Sequence, residues 1–174
     1  YVLMVYSFNN QIRFNQKGLF NLPVGKRDFN SKMRSKLVLF SEELKKKDIH
    51  FMKNDFREIS LDSISQDTFI YCDPPYLITN ATYNENGMWT DKDEKDLLDF
   101  LDKANEKGFK FALSNVLRCK NKVNEILDKW IKDKGYNCHY LNKSYSNSNY
   151  HRKDKESISE EVLITNYLID WGNE

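Results

Sequence analysis

The sequence lacks several features that would each point to a particular class of protein. Its three cysteines include no C-x-x-C pair, and an odd count argues against a framework of disulfides. Its three histidines lie far apart and show none of the spacings of a metal site. No apolar run is long enough to span a membrane, and no signal peptide is recognisable. We therefore expect a protein of the reducing cytoplasm that holds no metal and touches no membrane.

Charge is balanced over the whole chain but uneven along it. The 174 residues suffice for one ordinary domain, and a formal net charge of +1 does not by itself indicate a nucleic-acid partner. Residues 25–47, however, contain eight basic residues, Lys26 among them, against three acidic ones. Such a segment suits either contact with phosphates or a solvated helix face, and the composition leaves both interpretations open.

The N-terminal part of the chain is predicted to hold a hairpin and a helix. Residues 1–8 fit either a strand or a short helix, because five apolar residues in a row do not distinguish the two. Residues 11–23 predict a β-hairpin that turns at Lys17-Gly18, where glycine can adopt a positive φ. Apolar residues at helical spacing then predict an amphipathic helix over residues 31–47.

Strands and helices alternate in the rest of the chain. One helix is predicted from a cap at Thr90, with Asp93 three residues on as the acid of a capping box, to near Gly108. A second helix is predicted over residues 122–134. Strands are predicted over residues 49–53, 68–72, 109–113, 136–141 and 161–168. The second is apolar enough to be buried on both faces, and the third should stop at Ser114-Asn115. This order predicts an α/β fold with a mostly parallel sheet, helices on its faces and an antiparallel strand pair at one edge.

One segment has the composition of a catalytic loop. The residues that follow the predicted strand 68–72 are Asp73, Pro74, Pro75 and Tyr76. Open α/β sheets bind ligands at this position, beyond the carboxyl end of a strand. The two prolines remove two N–H donors, so their carbonyls can accept hydrogen bonds from a ligand. A carboxylate and a carbonyl beside an aromatic ring suit a planar ring with an exocyclic NH2 group. The alternative is a strand-end turn in which Asp73 caps a helix.

Over nearly its whole length, the chain resembles the Dam-type (D12 class) N6-adenine DNA methyltransferases. Residues 8–25 are similar to the family's hairpin, which enters DNA beside the target adenine. Asn54-Asp55-Phe56 resembles the motif for the adenine of S-adenosyl-L-methionine, and residues 73–76 resemble the catalytic motif. Ser114-Asn115 and residues 161–167 are similar to a strand end and to the closing strand of the family's fold.

The resemblance implies a Rossmann-like enzyme that uses S-adenosyl-L-methionine to methylate N6 of adenine in double-stranded DNA. Asp73 and the carbonyl of Pro74 would hold the adenine amino group, and Tyr76 would stack on the flipped base. Asp55 would bind the amino group of the cofactor's adenine and Phe56 its ring, with Asp73 also bordering the cofactor. The residues predicted to contact DNA, from the hairpin and from two basic segments, are Phe8, Asn9, Asn10, Gln11, Arg13, Lys26 and Arg152.

Several of these assignments have an alternative. Arg13 could be a surface arginine above the hairpin aromatics, and Asp55 could be a strand-end cap. The loop over residues 142–159 suits either contact with DNA phosphates or a solvated loop. The residues that fit either the pocket of the flipped base or packing beneath the loop are Tyr83, Met88 and Trp89.

Two departures from the family pattern limit the resemblance. Asn10-Gln11 stands where the family usually has Gly-Leu, in the part of the hairpin that reads bases, which indicates a different recognition site. The Gly-rich cofactor motif is absent, because no G-x-G occurs in the sequence. We therefore expect residues 1–47 to be the remainder of a target-recognition region, and residues 48–174 the C-terminal part of a catalytic domain. The N-terminal portion of the same enzyme would complete the site, and the chain alone should bind cofactor weakly.

The predicted function is methylation of adenine N6 at specific DNA sites within a restriction-modification system, with a cognate restriction endonuclease as the partner in that system. Two other functions remain open. The absence of the Gly-rich motif favours a catalytically incomplete subunit that binds DNA or forms a complex. Methyl transfer to an amine of RNA or protein would use the same chemistry, although a hairpin of this pattern belongs to the DNA enzymes.

Overall fold

The computed structural model describes residues 1–15, 17–79, 89–141 and 159–169. The chain divides into two compact units, residues 1–53 and residues 54–174. Three residues with predicted roles, Tyr83, Met88 and Arg152, lie outside the described residues. No helix in the described part of the chain is both long enough and apolar enough to cross a membrane.

The described residues of the first unit form one short and one long α-helix. α1 (Val2–Tyr6) shows that the ambiguous N-terminal segment is helical. α2 (Ser31–Lys46) confirms the predicted amphipathic helix to within one residue. It begins where the side chain of Asn30 accepts a hydrogen bond from the backbone N–H of Met33, which satisfies one of the free N–H groups of the first turn. None of its residues is buried, and Phe40, on the predicted apolar face, is 61% exposed.

Two antiparallel bridges fold the chain back on itself between these helices. Phe14 pairs with Phe20, and their rings meet edge to face with centroids 6.0 Å apart. Ser7 pairs with Val24, and a Cβ atom on Gly25 would lie 2.5 Å from the carbonyl oxygen of Ser7. Only glycine fits that approach of two backbones. Each bridge is isolated, and no continuous two-stranded ladder runs through residues 7–15 and 17–25.

The described residues of the second unit form a five-stranded sheet. Its strands are β1 (Phe69–Cys72), β2 (Lys110–Cys119), β3 (Lys122–Val123), β4 (Asn137–Tyr140) and β5 (Ser159–Thr165). They are ordered β1-β2-β5-β4, and β3 pairs with the end of β2. β1, β2 and β4 run in one direction, whereas β5 lies antiparallel between β2 and β4. The molecule is thus mixed α/β, and most strands of its sheet share one direction.

The predicted antiparallel pairing of the last two strands is confirmed, but the antiparallel strand is not the outermost one. β5 pairs with β4 on one side and with β2 on the other. Its register with β2 runs from Ser159 opposite Cys119 to Thr165 opposite Ala112. The backbone groups of β5 therefore have partners along both sides, and β4 takes the edge instead.

Two helices cover one face of this sheet. α3 (Asp91–Glu106) begins with the predicted capping box, in which Thr90 and Asp93 bond to each other's backbone N–H. α4 (Glu125–Lys134) begins three residues later than predicted, because β3 first pairs back onto β2. The buried residues that join helices and sheet into the main core are Leu97, Leu98, Leu101, Phe111, Leu113, Leu117, Leu127, Trp130, Val162 and Ile164.

One strand prediction was wrong and two were wrong in part. Residues 49–53 form no strand, and no described segment pairs with them. Phe69 and Tyr71 of β1 are 51% and 58% exposed, so β1 is not buried on both faces. β2 does not stop at Ser114-Asn115 but continues to Cys119, because β5 pairs along this further stretch.

Candidate active site

The segment after β1 brings a carboxylate and a phenol together. The hydroxyl of Tyr76 donates a hydrogen bond of 3.1 Å to Oδ1 of the exposed Asp73. Partial burial is the main cause that raises the pKa of Tyr76, and the neighbouring carboxylate of Asp73 adds to it. The phenol therefore keeps its proton and holds this bond. No helix of the described residues begins at Asp73, so the alternative of a helix cap is not supported.

β2 flanks this segment. Cys72, the last residue of β1, pairs in parallel register with Leu113, so β2 continues beside Asp73 through Ser114 and Asn115. The Oγ atom of Ser114 lies 2.8 Å from the hydroxyl oxygen of Tyr71. Ser114-Asn115 therefore sits next to the end of β1, although inside a strand rather than at the end of one.

Asp55 has a defined set of partners in the segment before β1. Its Oδ1 accepts a hydrogen bond of 2.9 Å from the backbone N–H of Arg57, which caps a short 3-10 turn over Phe56–Glu58. The guanidinium of Arg57 donates from Nη1 to both carboxylate oxygens, at 3.1 and 3.0 Å. The bond from the backbone N–H of Arg57 is the largest cause that lowers the pKa of Asp55. Asp55 is therefore a cap, but of a 3-10 turn and not of a strand end, because residues 49–53 form no strand.

Arg57 connects Asp55 to the start of α3. Its guanidinium also bonds to Asp93, and its Nε donates to Asp96 at 2.8 Å. These carboxylates raise the pKa of Arg57, with Asp96 the largest cause. The same guanidinium lies over the ring of Phe56, 4.5 Å from its centroid. Arg57 thus contacts Asp55 and Phe56, two of the three residues that were predicted to meet the cofactor.

Phe56 is half-buried and packs onto the main core. Its ring centroid lies 6.1 Å from those of Trp89 and Phe100. Trp89 in turn donates from Nε1 to Oε2 of Glu94, a fully buried carboxylate. Trp89 is therefore packed against the main core, which agrees with the packing alternative of the sequence analysis.

The predicted DNA-contacting residues lie in the first unit, apart from Arg152. Asn9 and Asn10 both have positive φ, 55° and 57°. Asparagine tolerates this left-handed region better than other non-glycine residues. Arg13 is half-buried and donates from Nε to the carbonyl of Asn21 at 3.2 Å. Phe8, Gln11 and Lys26 are exposed.

The described site residues of the second unit thus form two local groups. Asp73 bonds to Tyr76, and Asp55 with Phe56 gathers around Arg57. No hydrogen bond or ion pair among the described residues joins Asp55 to Asp73. Within the same described part of the chain, no three side chains of the types that bind metal ions are grouped.

Comparison with known proteins decides the family. The model of the D12 class N6 adenine-specific DNA methyltransferases matches residues 1–158. The chain belongs to this family. Type II methyltransferase M.FokI of Planomicrobium okeanokoites is 44% identical over 96% of this chain, and modification methylase StsI of Streptococcus sanguinis is 41% identical over the same share. A DNA adenine methylase of Vibrio cholerae is 32% identical over 63% of this chain and 40% of its own length.

The chain spans about a quarter of the length of the first curated relatives it matches, 26% for both M.FokI and StsI. Asn10 occupies the position where the family usually has glycine, and its φ of 57° is a conformation that glycine adopts freely. The side chain of Asn10 donates from Nδ2 to the carbonyl of Met4.

Two residues next to the proposed cofactor residues, Arg57 and Glu94, were not predicted from the sequence. Arg57 directly follows the Asn54-Asp55-Phe56 motif, but nothing in the sequence shows that it would reach α3. Glu94 had a visible signal, because it precedes Leu97, Leu98 and Leu101 by three, four and seven residues. That spacing puts a glutamate on the apolar face of the helix, where an acidic residue needs hydrogen-bond donors.

Proposed function

We propose that the native protein containing this chain is an S-adenosyl-L-methionine-dependent methyltransferase that modifies N6 of adenine at specific sites in double-stranded DNA. The observation that carries the proposal is the pairing of Asp73 with Tyr76 directly after β1. It combines an exposed acceptor, two prolines without N–H groups and an aromatic ring in four consecutive residues. Membership of the D12 class supports the same substrate and reaction.

The adenine amine needs help because its lone pair is delocalised into the ring. Asp73 and the carbonyl of Pro74 are both acceptors, and each would take a hydrogen bond from one N6 hydrogen. The nitrogen would then become more pyramidal and present its lone pair in line with the reacting methyl group. Positioning and fixed acceptors near the developing positive charge would provide most of the acceleration. Tyr76 would stack on the extruded base, and Pro75 would stiffen the loop.

S-adenosyl-L-methionine supplies an activated methyl group when it is bound. Asp55 fits a role at its adenine, since a carboxylate has about four lone-pair sites. Oδ1 of Asp55 takes two bonds from Arg57, whereas Oδ2 takes one and keeps room for an amino group. Phe56 would contact the ring, although Arg57 already lies over one of its faces. Asp73 would border the methyl group from the end of β1.

DNA contact belongs, in this proposal, to the first unit. The bridged segment containing Phe14 and Phe20 would act as the DNA-recognition hairpin, with Arg13 on a phosphate or a base. The basic stretch beginning at Lys26 would add contacts with the backbone. Residues 1–47 would form part of the target-recognition region, and residues 48–174 part of a Rossmann-like catalytic domain.

The relatives support a place in a restriction-modification system. One is named a type II methyltransferase and another a modification methylase. We propose that a cognate endonuclease recognises the same DNA sequence and that methylation protects that sequence. The endonuclease is then a functional partner, and the proposal requires no contact between the two proteins.

The test is methylation of unmodified genomic DNA by the native protein with S-adenosyl-L-methionine, followed by base-resolved detection of modified adenines. We expect methyl groups on adenine N6 within one short sequence. Modification of cytosine, of RNA or of protein would overturn the proposal, as would a complete absence of transfer by a preparation that binds both cofactor and DNA.

A further inference from the structure

Glu94 is a fully buried acid near the start of α3. Its Oε1 accepts hydrogen bonds from Nδ2 of Asn115 at 3.0 Å and from Nδ2 of Asn124 at 2.8 Å. Its Oε2 accepts a bond of 2.7 Å from Nε1 of Trp89. Three neutral donors on three different segments therefore converge on one carboxylate. The catalytic chemistry proposed above makes no use of it.

The surroundings leave no freedom to turn these donors into acceptors. Oδ1 of Asn115 accepts from the backbone N–H of Val116 at 2.8 Å. Oδ1 of Asn124 accepts from the N–H of Leu127 at 3.1 Å, where it caps α4. Both amides must therefore present their N–H groups to residue 94, and an indole nitrogen can only donate. Residue 94 has to accept on both of its oxygens, which a carboxylate does and a glutamine does not.

Glu94 reaches both parts of the candidate site through these donors. Trp89 packs against Phe56, which is proposed to contact the cofactor's adenine. Asn115 lies two residues beyond Leu113, the partner of Cys72 next to Asp73. The shorter of these connections runs through Trp89, because its ring touches Phe56 directly.

We propose that Glu94 is a positioning residue for the cofactor. It fixes the indole of Trp89, and the indole fixes the ring of Phe56 in the orientation that receives the adenine of S-adenosyl-L-methionine. This inference rests on the proposed function, because it assumes that Phe56 meets that cofactor. It adds a residue outside the Asp55-Phe56 motif on which cofactor affinity depends.

The test compares Glu94→Gln with a matched control on the same helix. Asp102 also accepts from an indole, with Oδ1 3.0 Å from Nε1 of Trp130 and 2.9 Å from the hydroxyl of Tyr136. None of its partners is a proposed site residue. Glu94→Gln places an N–H group against a buried donor, so we expect the Kd for S-adenosyl-L-methionine to rise about tenfold in the native protein. Asp102→Asn should lower the unfolding temperature but leave that Kd unchanged.

Separate measurement of KM and kcat distinguishes a positioning role from a general loss of folded structure. Glu94→Gln should raise KM for the cofactor about tenfold, while KM for DNA and kcat change less than twofold. A loss of kcat with KM for the cofactor unchanged would overturn the inference, as would the same Kd for both variants at a temperature where both are folded.

The variant Trp89→Phe provides a second test of the connection between Glu94 and the cofactor. It removes the indole N–H, so Oε2 of Glu94 loses its donor, and cofactor binding should again weaken severalfold. In that background Glu94→Gln should cost less than it does alone, because its N–H group no longer meets a donor. Purely additive effects on the Kd would overturn the proposed connection, and Trp89→Phe keeps the test decisive if Glu94→Gln fails to fold. A native protein that binds no S-adenosyl-L-methionine at all would instead contradict the proposed function.

Discussion

α2 and α3 are both 16 residues long, and they show how little of a helix's role is fixed locally. Each has an apolar stripe at helical spacing, and each begins with a side-chain cap, Asn30 for α2 and Thr90 for α3. α3 buries five residues against the sheet and α4, whereas α2 buries none. The same local signals therefore produce a core element in one unit and a surface element in the other.

The difference extends to the two units as wholes. In residues 54–169, described apart from two gaps, buried apolar side chains from helices and strands hold the proposed catalytic segment in place. In residues 1–53 the order comes mainly from caps, isolated bridges and one close backbone approach at Gly25. We infer that chemistry and stability depend chiefly on the second unit, and DNA affinity on the first. Four predictions test this division.

The largest effect is expected for Asp73→Ala in the native protein. Removal of the carboxylate takes away one of two acceptors for the N6 hydrogens, and loss of one such electrostatic contact typically costs about 10²- to 10³-fold in kcat. Affinity for DNA should persist, because that contact is assigned to the first unit. The measurements are single-turnover methylation and a binding titration on the same oligonucleotide. Transfer at a near-normal rate would remove Asp73 from the chemistry.

The next largest effect compares one leucine from each long helix. Leu101 of α3 is fully buried, whereas Leu39 of α2 is 61% exposed. Leu101→Ala should lower the free energy of unfolding by about 2–5 kcal/mol, since it leaves a cavity in the core. Leu39→Ala should change it by no more than about 0.5 kcal/mol, as is usual for surface positions. Urea unfolding of both variants provides the values, and equal losses would show that α2 is packed in solution.

The sequence predicted those features that depend on local pattern. Periodic apolar residues located α2 and α3, and the spacing of Thr90 and Asp93 predicted the capping box. The sequence did not predict the features that depend on pairing between distant segments. β2 runs past Ser114 only because β5 pairs along it, and residues 49–53 lack a pairing partner despite their composition.

In the candidate site, too, contacts between near neighbours in sequence could be predicted and contacts between distant residues could not. Asp73 and Tyr76 lie three residues apart, so their association needed only a short turn after β1. The reach of Arg57 to Asp93 and Asp96 spans 36 and 39 residues and follows from the packing of α3. Glu94 lies between these cases, because helical spacing already placed it on the buried face.

A smaller effect is expected for Arg13→Ala, which tests the role of the first unit. If Arg13 meets one phosphate, its removal should weaken binding to all DNA sequences about equally and lower the salt slope by about one. Binding isotherms at several salt concentrations measure both quantities, and the methylation rate at saturating DNA should be retained. An unchanged affinity and slope would place Arg13 outside the DNA interface.

The smallest effect is a pH dependence that distinguishes the two helix caps. The hydroxyl of Thr90 is the largest cause that lowers the pKa of Asp93 from 3.8 to about 2. A lowered pKa in the folded state stabilises the fold above the unfolded value, and this contribution is lost as pH falls through the folded value. Thr90→Val should therefore lower the urea midpoint at neutral pH, and the deficit should shrink between about pH 5 and about pH 2.

Asn30→Ala is the matched change in α2, because it removes a neutral amide that accepts from the N–H of Met33 at 3.0 Å. Its effect on helix content by circular dichroism should be independent of pH over the same range, since no proton is gained or lost at an amide. If the urea midpoint of Thr90→Val stayed below that of the unchanged protein by a constant amount down to about pH 2, the ionised carboxylate of Asp93 would add no stability through the capping box. The Thr90 cap would then resemble the Asn30 cap of α2, as a hydrogen bond whose contribution does not depend on pH.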